Sequence, residues 1–114
     1  MTAVVAGWTW LSDMRHSPVQ VVERLHGKTL DAVLAELGKP ANTHEFTMPV
    51  EGTLPEFRIE LHNTYPPNRP ENANVVIKEL HWEELRYNIA VWFHRVGDAW
   101  VVLDTCRWRK DVRF

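Results

Sequence analysis

The spacing of apolar residues changes once along the chain, and that change divides it into a helical part followed by a stranded part. Leu30, Val33, Leu34 and Leu37 fall three and four residues apart, with Asp31 and Glu36 between them. This spacing puts one apolar stripe along a helix. Thr29 supplies an N-cap, Gly38 a left-handed stop, and Pro40 prevents the helix from resuming. A shorter helix precedes it. Ser17 caps, Pro18 fits the first turn, Gln20 completes a capping box, Val21, Val22 and Leu25 make its apolar face, and Gly27 ends it. Helices this short need a surface to pack on, because propensity alone does not hold them.

After Pro40 the period becomes two. His44 to Met48 reads as a strand, with Phe46 and Met48 on one side. Phe57, Ile59 and Leu61 alternate with Arg58, Glu60 and His62, which predicts a second, half-buried strand. Tyr65 to Asn74 holds three prolines and three asparagines and reads as a loop. Val75 to Trp82 is apolar on both sides near its start, as a central strand would be. Tyr87, Ile89, Val91 and Phe93 then alternate with Asn88, Ala90, Trp92 and His94, and Trp100 to Trp108 forms the last strand.

Gly97-Asp98 joins these last two strands as a two-residue hairpin turn, with glycine where a type II′ turn needs it. Such a turn sets Val96 opposite Ala99, Phe93 opposite Val102 and Trp92 opposite Leu103. One face then carries Tyr87, Ile89, Val91, Phe93, Val102, Cys106 and Trp108. The other carries Asn88, Ala90, Trp92, His94, Val101, Leu103 and Arg107. A bulge anywhere in the pair would exchange the faces beyond it. The expected fold class is α+β: two short N-terminal helices packed on one face of an antiparallel meander sheet of four to five strands. Residues 1–16 form an N-terminal arm and residues 17–114 a single domain.

A length of 114 residues fits one domain with a core that needs no disulfide, and the single cysteine, Cys106, allows none within the chain. The net charge of −2 argues against a general nucleic-acid binder, which needs a basic excess. Six tryptophans, at 8, 10, 82, 92, 100 and 108, call for burial or contact, since each offers a large ring and an N–H that wants an acceptor. No stretch reaches the roughly 20 apolar residues that span a bilayer. The run from Ala3 to Leu11 is apolar but short, and lacks a basic leader and a cleavage site. It reads as an arm on the domain or as the remainder of a membrane anchor, and membrane association is expected only through such an anchor.

The segment Gly27-Lys28-Thr29-Leu30-Asp31-Ala32-Val33-Leu34-Ala35-Glu36-Leu37-Gly38-Lys39-Pro40 resembles the helix signature of the SmpA/OmlA/BamE group of small envelope lipoproteins. The shared pattern is Gly-x-Thr, an apolar helical stripe, then Leu-Gly-x-Pro, over about 14 residues. The resemblance implies two helices packed on an antiparallel sheet, as also in β-lactamase-inhibitor proteins. It further implies a non-enzymatic role by contact and a place at the cell envelope. No cysteine near the start matches the family's lipid anchor. A cytoplasmic setting is the other option.

Candidate chemistry is sparse. His44, His62, His81 and His94, with Asp104 and Cys106, are metal-ligating types, but no two histidines stand at a His-x-His or His-x-x-x-His spacing. The hairpin register puts Cys106 and His94 on opposite faces, and sets Asp104 opposite Val91 on the core side. Glu56, Glu60, Glu79, Glu83 and Glu84 read as solvated. No catalytic residue, metal or cofactor is assigned. The candidate binding surface is the second sheet face, where Trp92 is an aromatic anchor rimmed by His94, Asn88, Arg107 and Arg86. The competing reading has the arm, with Trp8 and Trp10, covering that face.

The expected function is therefore protein binding or scaffolding through an open sheet face. Another protein is the expected partner, and a homodimer is consistent with a free sheet edge or face. The alternative rests on Ala90-Val91-Trp92-Phe93 and Ala99-Trp100-Val101-Val102-Leu103-Asp104, which are similar to the closing strands of the nuclear transport factor 2-like cone. That likeness implies a small-ligand pocket or an enzyme site between sheet and helices.

Overall fold

A computed structural model describes residues 23–112. Four strands form one antiparallel sheet in the order β1 (Asn42–Thr47), β2 (Val76–Glu83), β3 (Tyr87–Val96) and β4 (Ala99–Arg109), so the sheet is a meander. Helix α1 (Leu30–Leu37) precedes it. The α+β class is therefore as expected. The helix expected from Ser17 falls outside the described residues except at its far end, where Glu23 and Arg24 are helical and Gly27 turns the chain with φ 79°. The arm, with Trp8 and Trp10, also lies outside the described residues.

Helix α1 begins and ends where its capping residues stand. Thr29 Oγ1 accepts from the Ala32 N–H at 3.3 Å, and Gly38, at φ 81°, donates to the Leu34 carbonyl at 2.9 Å. Val33 is fully buried, and Leu30, Leu34 and Leu37 pack beside it against Leu80, Trp82, Ile89, Val91 and Phe93. Burial of one such aliphatic side chain contributes ~1.5–3 kcal/mol. Trp82 finds its acceptor in the Gly38 carbonyl at 3.0 Å, which ties the helix end to β2. At the other end, the Val102 N–H donates to the Lys28 carbonyl at 2.8 Å, so the approach to α1 pairs with part of the outer edge of β4.

The second face of the sheet is covered too, by a segment that the alternation of Phe57, Ile59 and Leu61 marks as a strand. It is a 3₁₀ helix, Glu56–Asn63. Phe57 and Leu61 pack against the sheet, while Ile59, 39% exposed, points away. Five alternating residues fit this spacing as well as a strand's, and Pro55 at the N-cap position starts the turn. His62 then closes the loop. Its Nε2 accepts from the Leu54 N–H and its Nδ1 meets the Tyr65 carbonyl, both at 2.9 Å. Accepting at Nε2 requires the ring proton on Nδ1.

The hairpin turns as expected at Gly97, φ 63°, with Val96 opposite Ala99 and Phe93 opposite Val102. The register then shifts. Trp92 lies opposite Asp104, so β4 carries one extra residue, Leu103, as a bulge. Beyond it the expected faces are exchanged. Asp104, Cys106 and Trp108 lie opposite Trp92, Ala90 and Asn88, while Thr105 and Arg107 lie opposite Val91 and Ile89 on the helix side.

Candidate functional site

Glu79 lies at the middle of the second face. It sits on β2 directly opposite Trp92 of β3, and is 1% exposed. A carboxylate buried to this degree persists only with its oxygens satisfied. Arg58, from the 3₁₀ cover, donates Nε to Oε1 at 2.6 Å and Nη2 to Oε2 at 3.0 Å. Trp92 Nε1 donates to Oε1 at 2.6 Å, and His81 Nε2 lies 2.9 Å from Oε2. Burial alone would raise the Glu79 carboxyl above its ordinary value. The hydrogen bonds from His81, Arg58 and Trp92 and the charge of Arg58 outweigh that and hold it at about 2. The reading of Glu79 as solvated is thus corrected. Its signal was its place in an apolar central strand, on the same side as Ile77.

Aromatic rings surround this ion pair. Phe57 meets His81, Trp92 and Trp108 edge to face, with centroids 5.8, 5.3 and 4.9 Å away. Arg58 stacks 4.1 Å over the Phe46 ring. Such contacts lock the cover onto the sheet and orient the guanidinium toward Glu79.

Beside this network a cavity of about 230 Å³ opens between the 3₁₀ cover and the β3–β4 pair. Trp92, Phe57 and Cys106 line it, with the carboxylates of Glu56, Glu60 and Asp104. Arg58 also borders it, but its charge is matched by Glu79. Glu56, Glu60 and Asp104 make no ion pair among the described residues. Burial pushes the Cys106 thiol pKa up first, the carboxylates of Asp104 and Glu60 push it further, and the Arg107 charge pulls it partly back. A thiol held protonated in this way is a poor nucleophile. The bulge does bring Cys106 to the face of His94. His94 Nδ1, however, is hydrogen-bonded to the Tyr65 hydroxyl at 2.6 Å, and burial lowers its pKa.

The five residues expected to form the binding surface do not converge. Trp92 is 2% exposed, smothered by Phe57 and its neighbours, so this sheet face is not open. His94 is engaged with Tyr65. Asn88 is half-buried, its Oδ1 without a hydrogen-bond partner among the described residues. Arg107 is on the opposite face, 4.6 Å over the Tyr87 ring. Arg86 lies exposed in the β2–β3 turn, where its carbonyl accepts from the Lys110 N–H at 3.1 Å. Asp104 is not on the helix side but in the cavity, with Oδ1 accepting from the Thr105 N–H at 2.8 Å. The chain matches no protein-family model, and searches of curated proteins and of solved structures return no match.

Proposed function

We propose that this domain acts by contact rather than catalysis, and that its recognition site is the acidic cavity beneath the 3₁₀ cover. The cavity takes the lysine or arginine side chain of a protein partner. One observation carries this reading: Glu56, Glu60 and Asp104 meet at one hollow with no cation paired to them among the described residues. A volume of about 230 Å³ lies below the roughly 300–1,000 Å³ of small-molecule pockets and suits one long side chain better than a whole ligand. A cation over the Phe57 ring on its wall would gain a cation–π attraction of ~0.5–2 kcal/mol. The likeness of Gly27–Pro40 to contact proteins of the envelope supports the same kind of role. The open-face version of the binding idea is set aside, because Trp92 is covered.

An array of immobilised peptides that vary a single Lys or Arg tests this reading. The domain is expected to retain basic peptides, with binding that weakens as salt rises and falls at least about tenfold in Glu60→Gln/Asp104→Asn, a loss of ~1.4 kcal/mol. Equal retention of peptides lacking Lys and Arg, or unchanged binding by the double variant with its fold intact, would reject the site.

A further inference from the structure

We propose that His44, Glu79 and His81 form a binding site for a divalent transition metal ion, with Zn²⁺ the best match. The spacing of histidines along the chain gives no hint of it, because the ligands meet across strands. His44 on β1 is the direct cross-strand partner of Glu79 on β2, and His81 follows Glu79 by two residues on the same face. One ligand atom from each of the three lies within 4.8 Å of the others. The His44 and His81 rings are 5.6 Å apart, edge to face. Two imidazoles and a carboxylate are a borderline donor set that suits zinc, leaving a fourth position for water.

The geometry needs little change to accept an ion. Bonds of about 2.0–2.1 Å in a tetrahedral site place ligand atoms about 3.3 Å apart. His81 Nε2 and Glu79 Oε2 are already 2.9 Å apart, so the ion takes the place of the hydrogen bond between them, and the neutral ring, exchanging protons with solvent, carries its one proton on Nδ1. His44 is exposed and free to swing inward. Glu79 is held from behind by Arg58 and Trp92, the outer support that fixes a ligating carboxylate. The Arg58 charge opposes a cation at the same carboxylate, so binding is weaker than at a carboxylate with no cation beside it. This site is separate from the acidic cavity, and neither reading depends on the other.

The test is calorimetric titration of the untagged full chain with Zn²⁺ alone, with a parallel Co²⁺ titration followed by visible absorption. Expected are one ion per chain, a raised melting temperature at saturation, and a four-coordinate Co²⁺ spectrum. The exposed His44→Ala should fold normally and weaken binding at least about tenfold, and His81→Ala should do the same, while His26→Ala leaves it unchanged. Absence of saturable binding below millimolar Zn²⁺, or full affinity retained in His44→Ala, overturns the proposal.

Discussion

The indole N–H of Trp92 points across the β2–β3 pair onto the buried carboxylate of Glu79, at 2.6 Å. Neither group is stable alone in that position. The indole would lose its acceptor, and the carboxylate would keep only Arg58 and His81 against the cost of burial. Arg58, from the cover, reaches this pair and joins the cover to the sheet at the point where the two candidate sites adjoin.

Removing Arg58 should therefore be costly. Arg58→Ala strands a buried charge and deletes the stacking on Phe46. A loss of about 3–5 kcal/mol in urea unfolding is expected. The double variant Arg58→Met/Glu79→Leu should recover much of it, since no charge is then left unmatched. Equal loss in the single and double variants would show that packing, not charge, is what Arg58 supplies.

Stability should fall in acid. The Glu79 carboxyl titrates at about 2 in the fold against an ordinary value of 4.5, so the unfolded chain binds the extra proton. The stabilisation is complete above pH 4.5 and is lost as pH falls toward 2. Its size is about 3 kcal/mol from the linkage relation. Burial lowers the His94 pKa from 6.5, which works in the same direction and sets in at higher pH, as the solution drops below that ordinary value. Unfolding measured against pH in the presence of a chelator should show both slopes, with the lower one missing in Glu79→Gln.

Alkylation of Cys106 reads the charge of the cavity. Burial, with Asp104 and Glu60 beside it, favours the protonated thiol, which should react slowly with iodoacetamide at pH 8. Asp104→Asn removes one opposing charge, so the thiolate fraction and the rate should rise several-fold. An unchanged rate would leave burial as the whole cause.

His62 clamps the turn that carries the 3₁₀ cover. His62→Ala leaves the Leu54 N–H, part-buried, without its acceptor. A destabilisation of about 1–3 kcal/mol follows, and hydrogen exchange at the Leu54 amide should accelerate ahead of that at the β3 amides. Restored protection in His62→Gln would identify the acceptor, rather than the ring, as what matters.

The legible parts of this fold are those set by neighbours in sequence. Thr29, the Leu30–Leu37 stripe and Gly38 define α1, and Gly97-Asp98 defines the hairpin, because caps and tight turns are decided within a few residues. What escapes the sequence is non-local. The surplus Leu103 has no local mark, and it moves Asp104, Cys106 and Arg107 to faces other than those the turn predicts. Phe57, Ile59 and Leu61 satisfy two periods at once, and the sheet beneath them selects the helical one. Glu79 looks solvated until Arg58 arrives from 21 residues away to match it. The candidate site is made of these three features, so sequence reasoning reached Trp92 but not its surroundings.

The bulge has an electrostatic consequence. Had β4 continued in the hairpin's initial register, Leu103, Thr105 and Arg107 would face Trp92, Ala90 and Asn88 beneath the cover. With the bulge, Asp104 and Cys106 take that side, and the guanidinium is turned to the helix side, over Tyr87. One residue of stagger in a single strand thus decides whether a third carboxylate, Asp104, joins Glu56 and Glu60 at the hollow, and with it how strongly a visiting basic side chain is drawn in.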